Sequence, residues 1–160
     1  IPLILDKYKM TRFIVASDGP ERTKLENLVN KMGLSEYIVF TGRLSDDELK
    51  TLVASADVYV STSLSDGGLA ASTAEAMASQ VPVVVTDFGD NRKWIIEKIT
   101  GFLFPLRDHQ ILAEKVIKCL SNNSDAKRIA CNGRIIIEEF NNWKKEMEKV
   151  NTIYNSLLSN

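Results

Sequence analysis

The sequence predicts an α/β fold in which a parallel sheet is covered by helices on both faces. Short apolar runs alternate with helix-patterned stretches as far as residue 104, the signature of strands joined by helical crossovers. The runs are continuous and rich in β-branched and aromatic residues, as expected of strands buried on both faces. With 160 residues and 44% apolar composition the chain is long enough for one core, since a single domain usually spans roughly 100 to 200 residues.

In order, the expected strands are 12–16 (RFIVA), 37–41 (YIVFT), 58–62 (VYVST), 81–86 (VPVVVT) and 101–104 (GFLF). Helical patterns lie between them at 21–32, 46–54, 69–79 and 91–98. Ser45 followed three residues later by Glu48 reads as a capping box that starts the second of these, because hydroxyl and carboxylate each satisfy a free backbone N–H. After Pro105 only helices are expected, at 110–120, 125–139 and 142–158. Phe140, Trp143, Met147, Val150, Tyr154 and Leu157 recur at three- and four-residue spacing and form one apolar stripe along the last helix. That stripe packs on protein, or lies on a membrane surface with Lys144, Lys145 and Lys149 toward anionic lipid.

Twenty basic against 21 acidic residues leave a net charge of −1, unlike a protein built to neutralise phosphate backbones, so no nucleic-acid partner is expected. Two cysteines, Cys119 and Cys131, form neither a CxxC pair nor a disulfide framework, which points to a reducing, cytoplasmic compartment. His109 is the one histidine, and without a Cys/His cluster no metal site is expected. No run approaches the length of a transmembrane helix.

In open α/β sheets ligands bind beyond the carboxyl ends of the strands. There the loop after 58–62 stands out: Ser63-Leu64-Ser65-Asp66-Gly67-Gly68-Leu69-Ala70 runs into an Ala-rich helix carrying Glu75. Glycine lets a backbone approach a ligand closely, and the free N–H groups of a helix start favour phosphate. A carboxylate further along the helix can accept hydrogen bonds from a sugar diol. The plainer alternative is a tight turn followed by an exposed glutamate. Neither a Walker loop nor a GxGxxG fingerprint is present, which disfavours a nucleoside triphosphatase or a dehydrogenase.

The stretch 52–105, with Asp66, Glu75 and Ala76-Met77-Ala78, resembles the donor-binding half of family 4 glycosyltransferases (glycosyl transferases group 1) of the GT-B fold. Ala16-Ser17-Asp18-Gly19-Pro20, Phe40-Thr41-Gly42-Arg43, Pro82 to Asp87, Asn91 to Ile95 and Gly101 to Pro105 fit the same template in order. Asp66 replaces glutamate as the first acid and stands eight residues, not seven, before Glu75. The resemblance implies a single Rossmann-like, doubly wound domain over 1–160, with 142–158 as a closing helix and the first strand and most of the first helix absent. It implies that Glu75 holds the ribose hydroxyls of a nucleotide sugar and that Asp66 is the catalytic acid contacting the transferred sugar. Gly67, Gly68, Leu69 and Ala70 would face the diphosphate, Gly42 and Arg43 would lie near the base, and Ser63 would also belong to the nucleotide-sugar site, with Arg92 and Lys93 as further candidate cations.

On this reading the chain is the donor-binding domain of a retaining hexosyltransferase. It needs no cofactor beyond its substrate, a UDP-sugar or GDP-sugar, and the glycan or lipid-linked acceptor is held by an N-terminal domain. The natural polypeptide is then expected to extend upstream of Ile1, and the fragment alone to be inactive. A sugar-nucleotide epimerase of the same fold, or a non-catalytic nucleotide-sugar-binding module, stays open as an alternative.

Overall fold

The computed structural model describes residues 1–64 and 68–158. Five strands and eight helices follow one another among these residues: α1 (Pro2–Leu5), β1 (Phe13–Ala16), α2 (Arg22–Lys31), β2 (Ile38–Gly42), α3 (Asp46–Ala54), β3 (Tyr59–Ser61), α4 (Ala71–Ala78), β4 (Val83–Thr86), α5 (Asn91–Trp94), β5 (Phe102–Phe104), α6 (His109–Ser121), α7 (Asn123–Phe140) and α8 (Trp143–Leu158). Every strand pair is parallel, so the fold is α/β as expected. The strands do not form one sheet: β1 and β2 make a two-stranded sheet, and β3, β4 and β5 a three-stranded one in that order. The chain divides correspondingly into two compact units, Ile1–Ala56 and Asp57–Asn160.

In the first unit the capping box is present. The Ser45 backbone N–H donates to Glu48 Oε2 at 2.8 Å, and the Glu48 N–H donates to Ser45 Oγ at 3.4 Å. The Ser45 hydroxyl also donates to Glu48 Oε2 at 2.7 Å, and that bond, together with the one from the Ser45 N–H, lowers the Glu48 pKa. Register along β1–β2 holds from Phe13↔Ile38 to Val15↔Phe40 and then slips, pairing Ala16 with Gly42. Just past the slip Ser17 adopts φ 98° and Gly42 φ 71°, and the Ser17 N–H donates to the Gly42 carbonyl at 2.9 Å.

The second unit holds the denser core. Val83, Val84 and Val85 of β4 are fully buried, as their central place in the sheet requires. Gly101 enters β5 where nothing larger fits: a Cβ there would lie 2.7 Å from Val83 Cγ2 and 3.0 Å from Ile95 Cγ2. Gly133 similarly lets α7 approach the segment before β5, since its Cβ would lie 3.0 Å from the Thr100 carbonyl, while Met77 Cε of α4 would be at an ordinary contact distance of 3.5 Å. Behind the sheet Cys119 is buried, and loss of hydration pushes its thiol pKa up to about 12.

Two expectations need correction. The helix expected over 91–98 ends at Trp94, because the Thr100 hydroxyl accepts from the Ile96 N–H at 2.8 Å and donates to the Trp94 carbonyl at 2.9 Å. These bonds replace helical partners, and Glu97 instead bridges to Gly101. Its carboxylate also caps β5, accepting from the Leu103 N–H at 2.9 Å and pairing with Lys115. The second correction concerns the terminal stripe: Phe140 ends α7 rather than joining α8. Asn142 starts α8 afresh by accepting from the Lys145 N–H at 3.3 Å. No residue of α8 is buried, and Trp143, Ile153, Tyr154, Leu157 and Leu158 are exposed. Lys149 is engaged with Glu146 at 2.6 Å. Among the described residues no helix is long and apolar enough to cross a membrane.

Candidate functional site

The residues singled out from sequence fall into two groups, one in each unit, both at the carboxyl ends of parallel strands. In the first unit Gly42 ends β2 in the left-handed conformation that glycine adopts without steric cost. Arg43 follows it, exposed and without an ion pair or hydrogen bond among the described residues. A second cation lies here that sequence reasoning passed over. Arg22 begins α2, donates Nε to Glu26 at 2.8 Å and Nη2 to the Phe40 carbonyl at 3.3 Å, and lies 4.0 Å from Asp18. Its Nη1 would be 3.1 Å from a Cβ at position 42, so Gly42 makes room for the guanidinium. As the first residue of an ordinary amphipathic helix it carries no local signal of that placement.

In the second unit the loop between β3 and α4 carries the main candidate. Asp66 and Gly67 lie outside the described residues. Ser63 leaves β3 half-buried, its N–H 3.5 Å from Ser61 Oγ. Gly68 has open space where a side chain would be. Leu69 and Ala70 precede the helix, and Ala70 takes the N-cap position with φ −60° and ψ 137°, with no side chain capping the first turn. Among the described residues the first-turn N–H groups therefore keep the positive end of the helix dipole without a protein anion on it. Thr73, Ala74, Ala76 and Met77 form the buried face of α4. Glu75 falls between them in sequence but on the exposed side, and no hydrogen bond or ion pair engages its carboxylate among the described residues.

Two anchors hold this loop. The buried Thr86 hydroxyl donates to the Ser63 carbonyl at 2.6 Å, and the Tyr59 hydroxyl donates to Ser72 Oγ at 2.8 Å. Thr86 is itself tied down, since the buried Asn91 amide donates to its carbonyl at 2.9 Å. A bond from a side chain to a backbone 23 residues away leaves no pattern in a sequence window, so Thr86 was not among the candidates, and nor was Asn91, whose partner is the Thr86 carbonyl.

The other candidate cations are already matched. Arg92 forms a two-pronged pair with Asp87, whose pKa is lowered chiefly by that hydrogen bond. Lys93 pairs with Asp90 at 2.8 Å. Both basic side chains are exposed and engaged, which weakens their case as diphosphate ligands.

Residues 1–135 match the family described as Glycosyl transferases group 1. An uncharacterized glycosyltransferase of Methanocaldococcus jannaschii is 26% identical over 146 residues, covering 91% of this chain and 37% of that protein. Sucrose-phosphate synthase from Thermosynechococcus elongatus shares 26% identity with a TM-score of 0.81, over 91% of this chain and 38% of that one. HepE of Anabaena, solved in complex with UDP-glucose, superposes with a TM-score of 0.81 at 21% identity, over 97% of this chain and 44% of that one. The chain spans about two fifths of the length of the curated relatives it matches. A family match over most of its length, on a parallel α/β framework shared with these glycosyltransferase structures, makes the chain a member of the glycosyl transferases group 1 family, with the fold of a GT-B C-terminal domain.

Proposed function

We propose that the chain binds the nucleotide-sugar donor, a UDP-sugar or GDP-sugar, of a retaining hexosyltransferase. The acceptor, a glycan or a lipid-linked acceptor, would be bound by a separate N-terminal domain. The observation that carries this reading is the α4 start, which no side chain caps among the described residues and which follows a glycine-bearing loop, with an exposed Glu75 one turn further on that no described residue engages. As the bond from the sugar C1 to the diphosphate breaks, negative charge grows on the leaving oxygen, and preformed N–H donors at a helix start oppose that charge without having to reorient. The Glu75 carboxylate, an acceptor only, suits the two hydroxyls of a ribose. Asp66 would contact the transferred sugar. HepE, with UDP-glucose bound in its crystal structure, supports this class of ligand.

Titration with UDP and with GDP, each followed by NMR, is expected to shift the amides of Gly68 to Ala71. Glu75→Ala should weaken binding by about 1.5–3 kcal/mol, the range for a hydrogen bond to a charged group. Saturating nucleotide that leaves those amides in place would remove the site, and an unchanged affinity in Glu75→Ala would remove that residue from it.

A further inference from the structure

We propose that Thr86 is a positioning residue for the donor site, holding the loop before α4 in its binding geometry through the Ser63 carbonyl. The inference rests on the donor-site reading above. Thr86 is the last residue of β4 and is 1% exposed. Its hydroxyl reaches across to Ser63 at 2.6 Å, two residues beyond the end of β3 at Ser61. The β3–β4 ladder stops at Ser61↔Val85, so this side-chain bond extends the registration of the two strands past their last backbone pair, into the segment that leads to Gly68. A buried hydroxyl needs a partner, and a carbonyl held from a buried, rigid strand fixes the direction in which the following residues leave the sheet. Asn91, 3% exposed, holds the other side of Thr86 by donating to its carbonyl. At the far end of the loop the Tyr59 hydroxyl holds Ser72 in the first turn of α4. These two bonds fix Ser63 and the first turn of α4, whose N–H groups are the proposed donors, and preorganisation of that kind raises affinity by reducing the ordering that binding would otherwise require.

The test compares Thr86→Val, which keeps the shape and removes the donor, with Thr86→Ser, which keeps the donor. Val84→Ala serves as a control that opens a cavity in the same strand, where Val84 is fully buried. UDP and GDP are titrated separately into each chain, and thermal midpoints are measured alongside. Thr86→Val is expected to bind the preferred nucleotide roughly tenfold more weakly, the scale of one lost hydrogen bond. Thr86→Ser should return to within about twofold of the original chain, and Val84→Ala should lose thermal stability while keeping its affinity. Thr86→Ala, which adds no bulk, carries the same expectation should Thr86→Val not fold. Unchanged affinity in the hydroxyl-free variants, an equal loss in Val84→Ala, or no rescue by serine overturns the positioning role while leaving the donor site standing. If the original chain binds neither nucleotide, the donor site itself falls and the positioning role with it.

Discussion

Ser17 concentrates the tension between sequence and backbone at the residue scale. It is a non-glycine at φ 98°, a region that costs an L-residue on the order of 1–2 kcal/mol. The conformation is imposed by the register slip at Ala16 and by the bond from the Ser17 N–H to the Gly42 carbonyl. Ser17→Gly should relieve the strain and, after glycine's own entropic cost, raise stability by about 0.5–1 kcal/mol. A higher urea midpoint checks this, and a lower one would mean that the serine side chain makes a compensating contribution. Glu75 could be singled out from the sequence because its spacing from the glycines is local, and the structure leaves it exposed. Arg22, Thr86 and Asn91 could not be, because each owes its place to a carbonyl or a gap supplied by another element.

At the scale of elements, hydrophobic runs and turn residues sufficed to find all five strands, while the helix at 91–98 was overextended because Thr100 intercepts its backbone from downstream. Local pattern cannot show a competitor that arrives after the element has ended. Gly101 is the complementary case, a glycine that opens an expected strand and whose reason for being there is steric. Gly101→Ala must push into Val83 and Ile95, both buried, and should destabilise the chain by about 1–3 kcal/mol, the usual cost of overpacking. Denaturant titration reads the loss directly. A neutral result would show that the Val83 and Ile95 methyl groups can turn aside.

At the scale of the whole molecule, parallel pairing followed from the alternation of elements, but the division into a two-stranded and a three-stranded sheet did not. Pairing between strands depends on which edges meet in space, and a list of apolar runs does not contain that information.

The helix α8 has a consequence for how the chain meets a protease. None of its residues is buried, so little apolar contact opposes its local unfolding, and local opening is what exposes a backbone to cleavage. Lys144, Lys145 and Lys149 offer tryptic sites along it, whereas those in α6 and α7, such as Lys115 and Arg134, belong to helices anchored by Val116, Ile129 and Ile137 in the core. Brief trypsin treatment followed by mass spectrometry is therefore expected to show cuts at 144–149 before any within α6 or α7, leaving a trimmed body that retains Glu75 and Thr86. Earlier cleavage in α6 or α7 would mean that α8 is held in solution by contacts its exposed surface does not reveal.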